Sequence, residues 1–245
     1  MNTNRSGALD GQTILITGAS RGIGSAVAIA CAGAGATTLI AGRDVPALEQ
    51  VADLAIRAGG AEPVLLPLNL ERATADDYAD VCELIVDQFG SLDGLILNAA
   101  MVGEISPLAH LDGAQWARVF QVNLHSRFLL LRACDAALKQ ADGATVIFTL
   151  AGSHSAGKAN WGAFGVSQRA AEGLFELYAA ENGARTNVSV VGLVPPAVNT
   201  ELRRQIFPAG NEAETEMVEP VADHFVDCLL PARRLDLHGS IVDLS

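Results

Sequence analysis

Positive charge is scarce in this 245-residue chain: 16 lysines and arginines stand against 28 aspartates and glutamates, and the net charge is −12. Nucleic acids and anionic membranes bind basic protein surfaces, so we expect neither as a partner. The five histidines are scattered and lack the spacing of metal ligands, so we expect no metal site. A small molecule, whose identity the sequence does not specify, remains the expected partner.

Cysteine is also scarce, with four widely spaced copies at Cys31, Cys82, Cys134 and Cys228. Because their spacing matches neither a disulfide framework nor a metal site, we expect reduced core thiols in a cytoplasmic protein. The first ten residues are polar and have no apolar stretch of a signal peptide. The uncharged run over 22–42 consists largely of small residues and predicts a helix, a turn and a strand instead of a membrane span.

A glycine-rich turn is the clearest motif in the chain. Branched residues over 13–17 predict a buried strand, and the alanine-rich stretch over 23–34 predicts a helix. Between them, Gly18, Gly22 and Gly24 let the backbone bend sharply and approach a ligand. The N-terminus of the following helix offers free N–H groups and a positive dipole to a pyrophosphate. This context predicts a dinucleotide-binding turn, whereas an isolated glycine triplet would not.

Strands and helices alternate along the chain. The predicted strands cover 13–17, 37–41, 64–68, 94–98, 145–150, 188–194 and 240–244, and the predicted helices cover 23–34, 45–58, 74–89, 115–139 and 161–180. This order predicts an α/β fold, with one Rossmann-type domain over 1–245 whose doubly wound parallel sheet carries helices on both faces. The irregular segment 195–220 follows a strand and is interpreted as a lid over the ligand edge or as a solvated acidic loop.

The chain resembles the short-chain dehydrogenase/reductase superfamily over essentially its whole length. The resemblance rests on the glycine motif over 17–24, the strand-end segment Asn98-Ala99-Ala100, Asn123 in the long helix, and the order of the elements. Residues 92–94 and 158–162 are similar to a bacterial subgroup known mostly as uncharacterised oxidoreductases. The resemblance implies a nicotinamide nucleotide as cofactor.

The resemblance, together with the glycine turn, assigns the cofactor to residues at the expected ligand edge of the sheet: Gly18, Ser20, Arg21, Gly22, Ile23, Gly24, Arg43, Asn69, Leu70, Asn98, Ala99, Gln168 and Thr200. Arg21 in the glycine turn and Arg43 after the second strand converge where the adenosine ribose is expected. Two guanidinium groups favour a 2′-phosphate, so we expect NADP(H) over NAD(H). Asp44 argues against this choice, because its carboxylate could pair with either arginine.

The catalytic positions implied by the resemblance depart from the family's pattern. The family's serine, tyrosine and lysine fall on Ala151, Phe164 and Gln168, and only its asparagine is present, as Asn123. Phe164 has no exchangeable proton, and losing one proton-transfer group typically lowers the rate about 10²–10⁴-fold. His154 is a candidate substitute acid because a histidine pKa lies near neutrality, and an ordinary loop histidine is the alternative interpretation.

Three functions are compatible with these residues. The first is an NADP(H)-binding protein that has lost carbonyl reductase or alcohol dehydrogenase activity and acts through nucleotide binding or as a partner subunit. The second is an active NADP(H)-dependent oxidoreductase that uses a non-standard acid such as His154, together with Asn123, or whose substrate needs no proton donor from the enzyme. The third is a subunit that binds no nucleotide. The glycine turn with Arg21 and Arg43 argues against the third function. The residues Ala151, Phe164 and Gln168 argue against the second, so we favour the first.

Self-association is also expected. The resemblance implies a homodimer or homotetramer formed through the helices over 115–139 and 161–180. These helices carry more apolar residues than one buried stripe requires: Phe128, Leu129, Leu130, Leu131, Leu174, Phe175 and Leu177. The alternative is that all of these side chains pack on the sheet.

Overall fold

The computed structural model describes residues 5–152, 158–183, 186–210 and 215–245. Within these ranges there are seven strands: β1 (Thr13–Thr17), β2 (Thr37–Gly42), β3 (Val64–Pro67), β4 (Gly94–Leu97), β5 (Ala144–Thr149), β6 (Val188–Val194) and β7 (Ile241–Asp243). They form one sheet in the order β3-β2-β1-β4-β5-β6-β7, and every pairing is parallel. The predicted doubly wound α/β fold is therefore confirmed.

Helices cover both faces of this sheet. In the described part of the chain they are α1 (Gly22–Gly33), α2 (Val45–Arg57), α3 (Ala75–Phe89), α4 (Gly113–Phe120), α5 (Ser126–Gln140), α6 (Gly162–Glu181), α7 (Glu201–Ile206), α8 (Val218–Leu229) and α9 (Arg234–Leu237). Helices α3, α5 and α6 contribute to the hydrophobic cluster on one face. Helices α1, α2 and α8 contribute to the cluster on the other face.

The strands are buried because their side chains supply both clusters. All five residues of β1 are buried, and they alternate, so that Leu15 joins one cluster while Ile14 and Ile16 join the other. Burying each of these side chains contributes about 1.5–3 kcal/mol relative to leaving it exposed. A continuous run of branched residues therefore forms a strand covered on both sides.

The long helix predicted over 115–139 is interrupted in the structure. Helix α4 ends at Phe120, one π-helical turn follows over Gln121–His125, and α5 begins at Ser126. This π-helical turn contains Asn123, whose side-chain hydrogen bonds are described below. Propensity alone predicts no such interruption, since none of these residues breaks a helix.

Helix α8 was not predicted from the sequence, although its pattern is visible there. Val221, Ala222, Phe225, Val226 and Leu229 are buried and recur at intervals of three and four residues. Pro220 lies in the first turn, where a missing N–H does not break a helix. The segment 195–220 thus contains α7 and the start of α8, and a bridge between Val198 and Glu216 links its two sides.

The expectation of four reduced thiols was wrong. Cys82 on α3 and Cys134 on α5 form a disulfide, while Cys31 and Cys228 are free and buried. The two bonded cysteines are 52 residues apart in sequence, and only the packing of α3 against α5 brings their Cα atoms to 5.5 Å. Separation along the chain carries no information about this pairing.

Two kinds of feature are absent from the described residues. No helix there combines the length and apolar character that crossing a bilayer requires. No group of histidine, cysteine, aspartate and glutamate residues there could hold a metal ion.

Candidate functional site

A cavity of about 690 Å³ lies at the carboxyl edge of the sheet. Its wall includes the residues that directly follow β1, β2, β4 and β6, namely Gly18, Arg43, Asn98 and Pro195. In a doubly wound sheet, ligands bind at this edge, where loops from neighbouring strands converge. Every residue predicted to contact the cofactor lines this cavity except Gly24.

Gly24 does not line the cavity, but it packs against Gly18 in the glycine turn that does. A Cβ at this position would overlap the carbonyl oxygen of Gly18, so only glycine lets α1 pack this closely on the turn. Gly18 itself has a φ of +66°, and a Cβ there would lie 2.8 Å from the Cα of Ala99. The turn is therefore narrow and has exposed backbone, as a phosphate-binding loop requires.

The N-terminus of α1 is free to hold an anion. The residue before the helix, Arg21, makes no capping hydrogen bond with its side chain, and the first turn contains no acidic residue. Backbone N–H groups at an uncapped N-terminus need an acceptor, and a phosphate satisfies them while interacting with the helix dipole. This part of the cavity fits a dinucleotide pyrophosphate.

Asn98 fixes the position of the glycine turn. Its side-chain nitrogen donates to the carbonyl oxygens of Thr17 and Gly18, at 3.1 and 3.3 Å. The Thr17 hydroxyl accepts from the backbone N–H groups of Asn98 and Ala99 and donates to the carbonyl oxygen of Ile96. The ends of β1 and β4 are thus joined by side chains beside the cavity, and the phosphate loop is held before any ligand arrives.

Arg21 and Arg43 both line the cavity, but each is paired with carboxylates. Arg21 pairs with Glu201 and, at 3.1 Å, with Asp44, and the hydrogen bond to Glu201 raises the pKa of Arg21. Arg43 pairs with Glu71. Because the arginine side chains are 55% and 64% exposed, these pairs are expected to contribute little, about 0–1 kcal/mol each. A 2′-phosphate can therefore replace the carboxylates, and the arginines fit that group.

Asn69 is positioned by the backbone beside it. Its side-chain oxygen accepts a hydrogen bond of 3.1 Å from the N–H of Glu71, which orients the amide at the end of the cavity nearest β3. A carbonyl oxygen has two lone pairs, so the same atom can also accept from an adenine amino group. The predicted role for Asn69 is compatible with this geometry.

The three positions at which the sequence predicts a departure from the family's catalytic pattern lie together on the opposite wall of the cavity. Ala151 follows β5, and Phe164 and Gln168 lie one helical turn apart on α6, with both side chains buried. The Phe164 ring packs 5.5 Å from the ring of Trp161 and forms a small apolar cluster with Val102. Among the described residues that line the cavity there is no tyrosine, lysine, histidine or cysteine.

Asn123 is buried in the π-helical turn and is not among the residues that line the cavity. Its side chain accepts from the N–H of Met101 at 2.7 Å and donates to the carbonyl oxygen of Met101 and to the Ser167 hydroxyl, both at 2.9 Å. Ser167 donates in turn to the carbonyl oxygen of Phe164. Asn123 therefore ties the loop after β4 to α6. Its predicted catalytic role stays a prediction, and His154 lies outside the described residues.

Sequence reasoning missed Arg127, which lines the same cavity although its side chain is almost completely buried, at 2% exposure. Its Nε and Nη1 atoms have no hydrogen-bond partner in the described structure, and burial lowers the pKa of Arg127 to about 10. It was overlooked because arginines usually lie at the surface. The available signal was its position four residues after Asn123, at the start of the buried stripe of α5.

Known proteins that are similar to this chain are short chain dehydrogenases and oxidoreductases. Residues 12–211 match the family described as short chain dehydrogenase. An uncharacterised oxidoreductase of Escherichia coli, YciK, is 32% identical over 200 residues, which is 82% of this chain and 79% of YciK. A structure from Pseudomonas syringae, provisionally assigned as a short chain dehydrogenase, has a TM-score of 0.93 and 35% identity, covering 97% of this chain and 96% of that one. A similar protein from Shigella flexneri, complexed with NADP, has a TM-score of 0.91 and 28% identity, covering 96% and 98%.

Proposed function

The chain belongs to the short chain dehydrogenase family, and on that premise we propose that it binds NADP(H) in the cavity at the carboxyl edge of its sheet. The uncapped N-terminus of α1 and the narrow glycine turn support a bound pyrophosphate. Arg21 and Arg43 support a 2′-phosphate, which NADP(H) carries and NAD(H) lacks. The NADP complex of the Shigella flexneri protein supports the same choice.

The proposal includes impaired carbonyl reductase or alcohol dehydrogenase activity. When bound, NADPH supplies a hydride, and reduction of a carbonyl also requires a proton at the carbonyl oxygen. The observation that carries the proposal is the buried Phe164 ring, which packs on Trp161 at the cavity wall where the family's pattern has a phenol. Ala151 has no hydroxyl to orient a carbonyl, and Gln168 has no charge. The protein then acts through nucleotide binding or as a partner subunit.

A paired experiment tests this function. Equilibrium titration followed by nicotinamide fluorescence is expected to give tight binding of NADPH and weaker binding of NADH. The same preparation is then incubated with NADPH and a panel of aldehydes and ketones, and no turnover above the uncatalysed rate is expected. Failure to bind either nucleotide would remove the proposal, and so would efficient reduction of any carbonyl compound in the panel.

The alternative is an active oxidoreductase that uses His154 as its acid. The two functions are separated by a His154→Ala variant, assayed beside a His110→Ala variant as a control for replacing a histidine elsewhere. If turnover occurs and only His154→Ala abolishes it, the alternative replaces our proposal.

The cytoplasmic location expected from the sequence stays a prediction. The Cys82–Cys134 disulfide removes one argument for it, namely the expectation that all four cysteines are reduced.

We also propose that two or four copies associate through α5 and α6. Phe128 on α5 and Leu177 on α6 are 51% and 65% exposed, whereas Leu130, Leu131 and Phe175 are buried in the core. The exposed pair supports an apolar contact with a second copy. Light scattering is expected to give a dimer or tetramer for the unchanged protein and a smaller species for Phe128→Glu/Leu177→Glu. A monomer for the unchanged protein would contradict this assembly.

A further inference from the structure

We propose that Arg127 is the receptor for an oxyanion, a carboxylate or phosphate group of a bound ligand, within the cavity at the carboxyl edge of the sheet. The inference shares this cavity with the proposed nucleotide site and so rests in part on the proposed function. It is independent of whether the protein catalyses a reaction.

The first observation is the position of Arg127 in the packing of α5. Residues of this helix that face the sheet are Arg127, Leu130, Leu131, Cys134, Ala137 and Leu138, which are all buried. Their spacing forms one stripe, and Arg127 is its first member, at the end that reaches the cavity. A guanidinium therefore stands where the helix otherwise presents apolar side chains to the core.

The second observation is that this buried cation has no counter-charge. No ion pair to Arg127 is present among the described residues, and Nε and Nη1 lack any hydrogen-bond partner. Desolvation without a partner disfavours the charged form of an arginine, yet its pKa of about 10 leaves it charged near neutral pH. An anionic group that entered the cavity would satisfy both the charge and the free N–H groups.

The third observation is that other orphaned polar atoms line the same cavity. The Thr149 hydroxyl at the end of β5 and the side-chain oxygen of Gln115 on α4 are buried and have no hydrogen-bond partner. A hydroxyl can donate to an oxyanion beside the guanidinium, while a lone amide oxygen needs a donor. Buried polar atoms are nearly always paired. With the two Arg127 nitrogens, these atoms make up four of the eight unpaired buried side-chain atoms among the described residues, and their presence in one cavity supports a ligand with charged and neutral polar groups.

Two sources can supply the oxyanion: a phosphate of the nucleotide itself, or the acidic group of a second small molecule. Arg21 and Arg43 lie at the β1–β2 side of the cavity, and the free N-terminus of α1 also lies there. Arg127 comes from α5, which packs on the other face of the sheet. The experiment therefore needs one arm for each source.

The test compares the unchanged protein with Arg127→Met, Arg127→Lys and Arg132→Met. Arg132 is an exposed arginine on the same helix, and its variant controls for the loss of one positive charge. In one arm, NADPH is titrated into each protein. In the other arm, thermal unfolding is followed with inorganic phosphate or acetate against chloride at equal ionic strength, both for the free protein and for the protein saturated with NADPH.

If the oxyanion belongs to the nucleotide, Arg127→Met weakens NADPH binding by about tenfold to a hundredfold, because hydrogen bonds to a charged group are lost. If it belongs to a second molecule, NADPH binding is unchanged, and the stabilisation that phosphate or acetate confers on the loaded protein is lost in Arg127→Met. Arg127→Lys retains part of either effect, and Arg132→Met behaves like the unchanged protein. In the chloride buffer, without phosphate, acetate or nucleotide, Arg127→Met is expected to melt higher than the unchanged protein, since an uncompensated buried charge has been removed.

The inference is overturned if Arg127→Met leaves both NADPH binding and the response to phosphate and acetate as in the unchanged protein. Should Arg127→Met fail to fold, Arg127→Gln serves in both arms with the same outcomes. If NADPH does not bind the unchanged protein, the proposed function fails, and the response of the free protein to phosphate and acetate still tests Arg127 separately.

Discussion

Two walls of the same cavity differ in how well they agree with the family's chemistry. On the wall formed by β1 and α1, the glycine turn, the uncapped helix and Arg21 supply what a nucleotide phosphate needs. On the wall formed by β5 and α6, Ala151, Phe164 and Gln168 place a methyl group, a phenyl ring and an amide at the positions where the sequence resemblance predicts a serine, a tyrosine and a lysine. The two walls are built from different elements, although Gln168 on the second wall is also a predicted cofactor contact. Under the proposed function, nucleotide binding at the first wall persists while catalysis at the second is impaired.

The Phe164 ring belongs to an apolar cluster that joins two parts of the fold. Phe164 contacts Trp161, and Trp161 lies 5.8 Å from the ring of Phe207 just after α7. The Lys158 amino group is 5.0 Å from the centre of the same Phe207 ring. These contacts link α6 to the segment after β6, and Phe164 is the member of the group that lines the cavity.

The largest effect is expected from rebuilding the catalytic wall. The triple variant Ala151→Ser/Phe164→Tyr/Gln168→Lys should gain turnover of a carbonyl compound by about 10² or more, because it restores a proton-transfer group. NADPH oxidation in the presence of the carbonyl panel measures the gain. The matched control is Ala151→Ser/Phe164→Leu/Gln168→Lys. It changes the same three positions without introducing a phenol hydroxyl, and it should show no turnover. If the triple variant binds NADPH normally and still reduces no carbonyl compound, residues other than these three account for the absence of turnover.

The next effect concerns the phosphate wall. Gly24→Ala should weaken NADPH binding strongly and lower the free energy of unfolding by about 1–3 kcal/mol, since the new methyl group overlaps the Gly18 carbonyl oxygen. Calorimetric titration and denaturant unfolding measure the two quantities. Gly173→Ala on α6 is the control, because a Cβ there meets no atom within 4 Å and should stabilise the helix by about 0.5–1 kcal/mol. Unchanged binding in Gly24→Ala would contradict the role of the turn.

Cofactor choice is expected to depend on Arg43. Arg43→Met should weaken NADPH binding about tenfold or more and leave NADH binding unchanged, since only NADPH carries the 2′-phosphate. Parallel titrations with both nucleotides measure this difference. Arg72→Met removes an exposed arginine outside the cavity and should change neither affinity. Equal losses for NADPH and NADH would place Arg43 at a different part of the nucleotide.

The smallest effect is expected from removing the carboxylate of Glu71, which pairs with Arg43. Glu71→Gln should strengthen NADPH binding by up to about fivefold, because Arg43 no longer has to leave an ion pair whose contribution is about 0.2–1 kcal/mol. Glu83→Gln, an exposed residue on α3, makes the same change in net charge and should have no comparable effect. If both variants gain equally, the overall negative charge and not the local pair governs the affinity.

Much of the fold could be predicted from the sequence, because periodicity and glycine placement are local signals. The bounds of β1 and β6 agree with the prediction at both ends, and α8 was missed although its buried residues recur at helical spacing. The Cys82–Cys134 disulfide could not be predicted, since it depends on how α3 and α5 pack. The π-helical turn over Gln121–His125 could not be predicted from helix propensities either.

The candidate site was less predictable than the fold. The glycine turn and the residues predicted to depart from the family's catalytic pattern are visible as residue types at fixed spacing. The pairing of Arg43 with Glu71 is not, because it requires the ends of β2 and β3 to lie side by side. Arg127 was overlooked for a similar reason: the direction in which a helix residue faces is known only after the helix has been placed on the sheet.

Single-turnover mixing tests the central claim most directly. The protein in excess is loaded with NADPH, mixed with the carbonyl panel, and followed by the absorbance of the reduced nicotinamide. We predict that the nucleotide stays bound and reduced over the whole panel, while the triple variant with serine, tyrosine and lysine restored oxidises it. Rapid oxidation of bound NADPH by the unchanged protein would contradict the account.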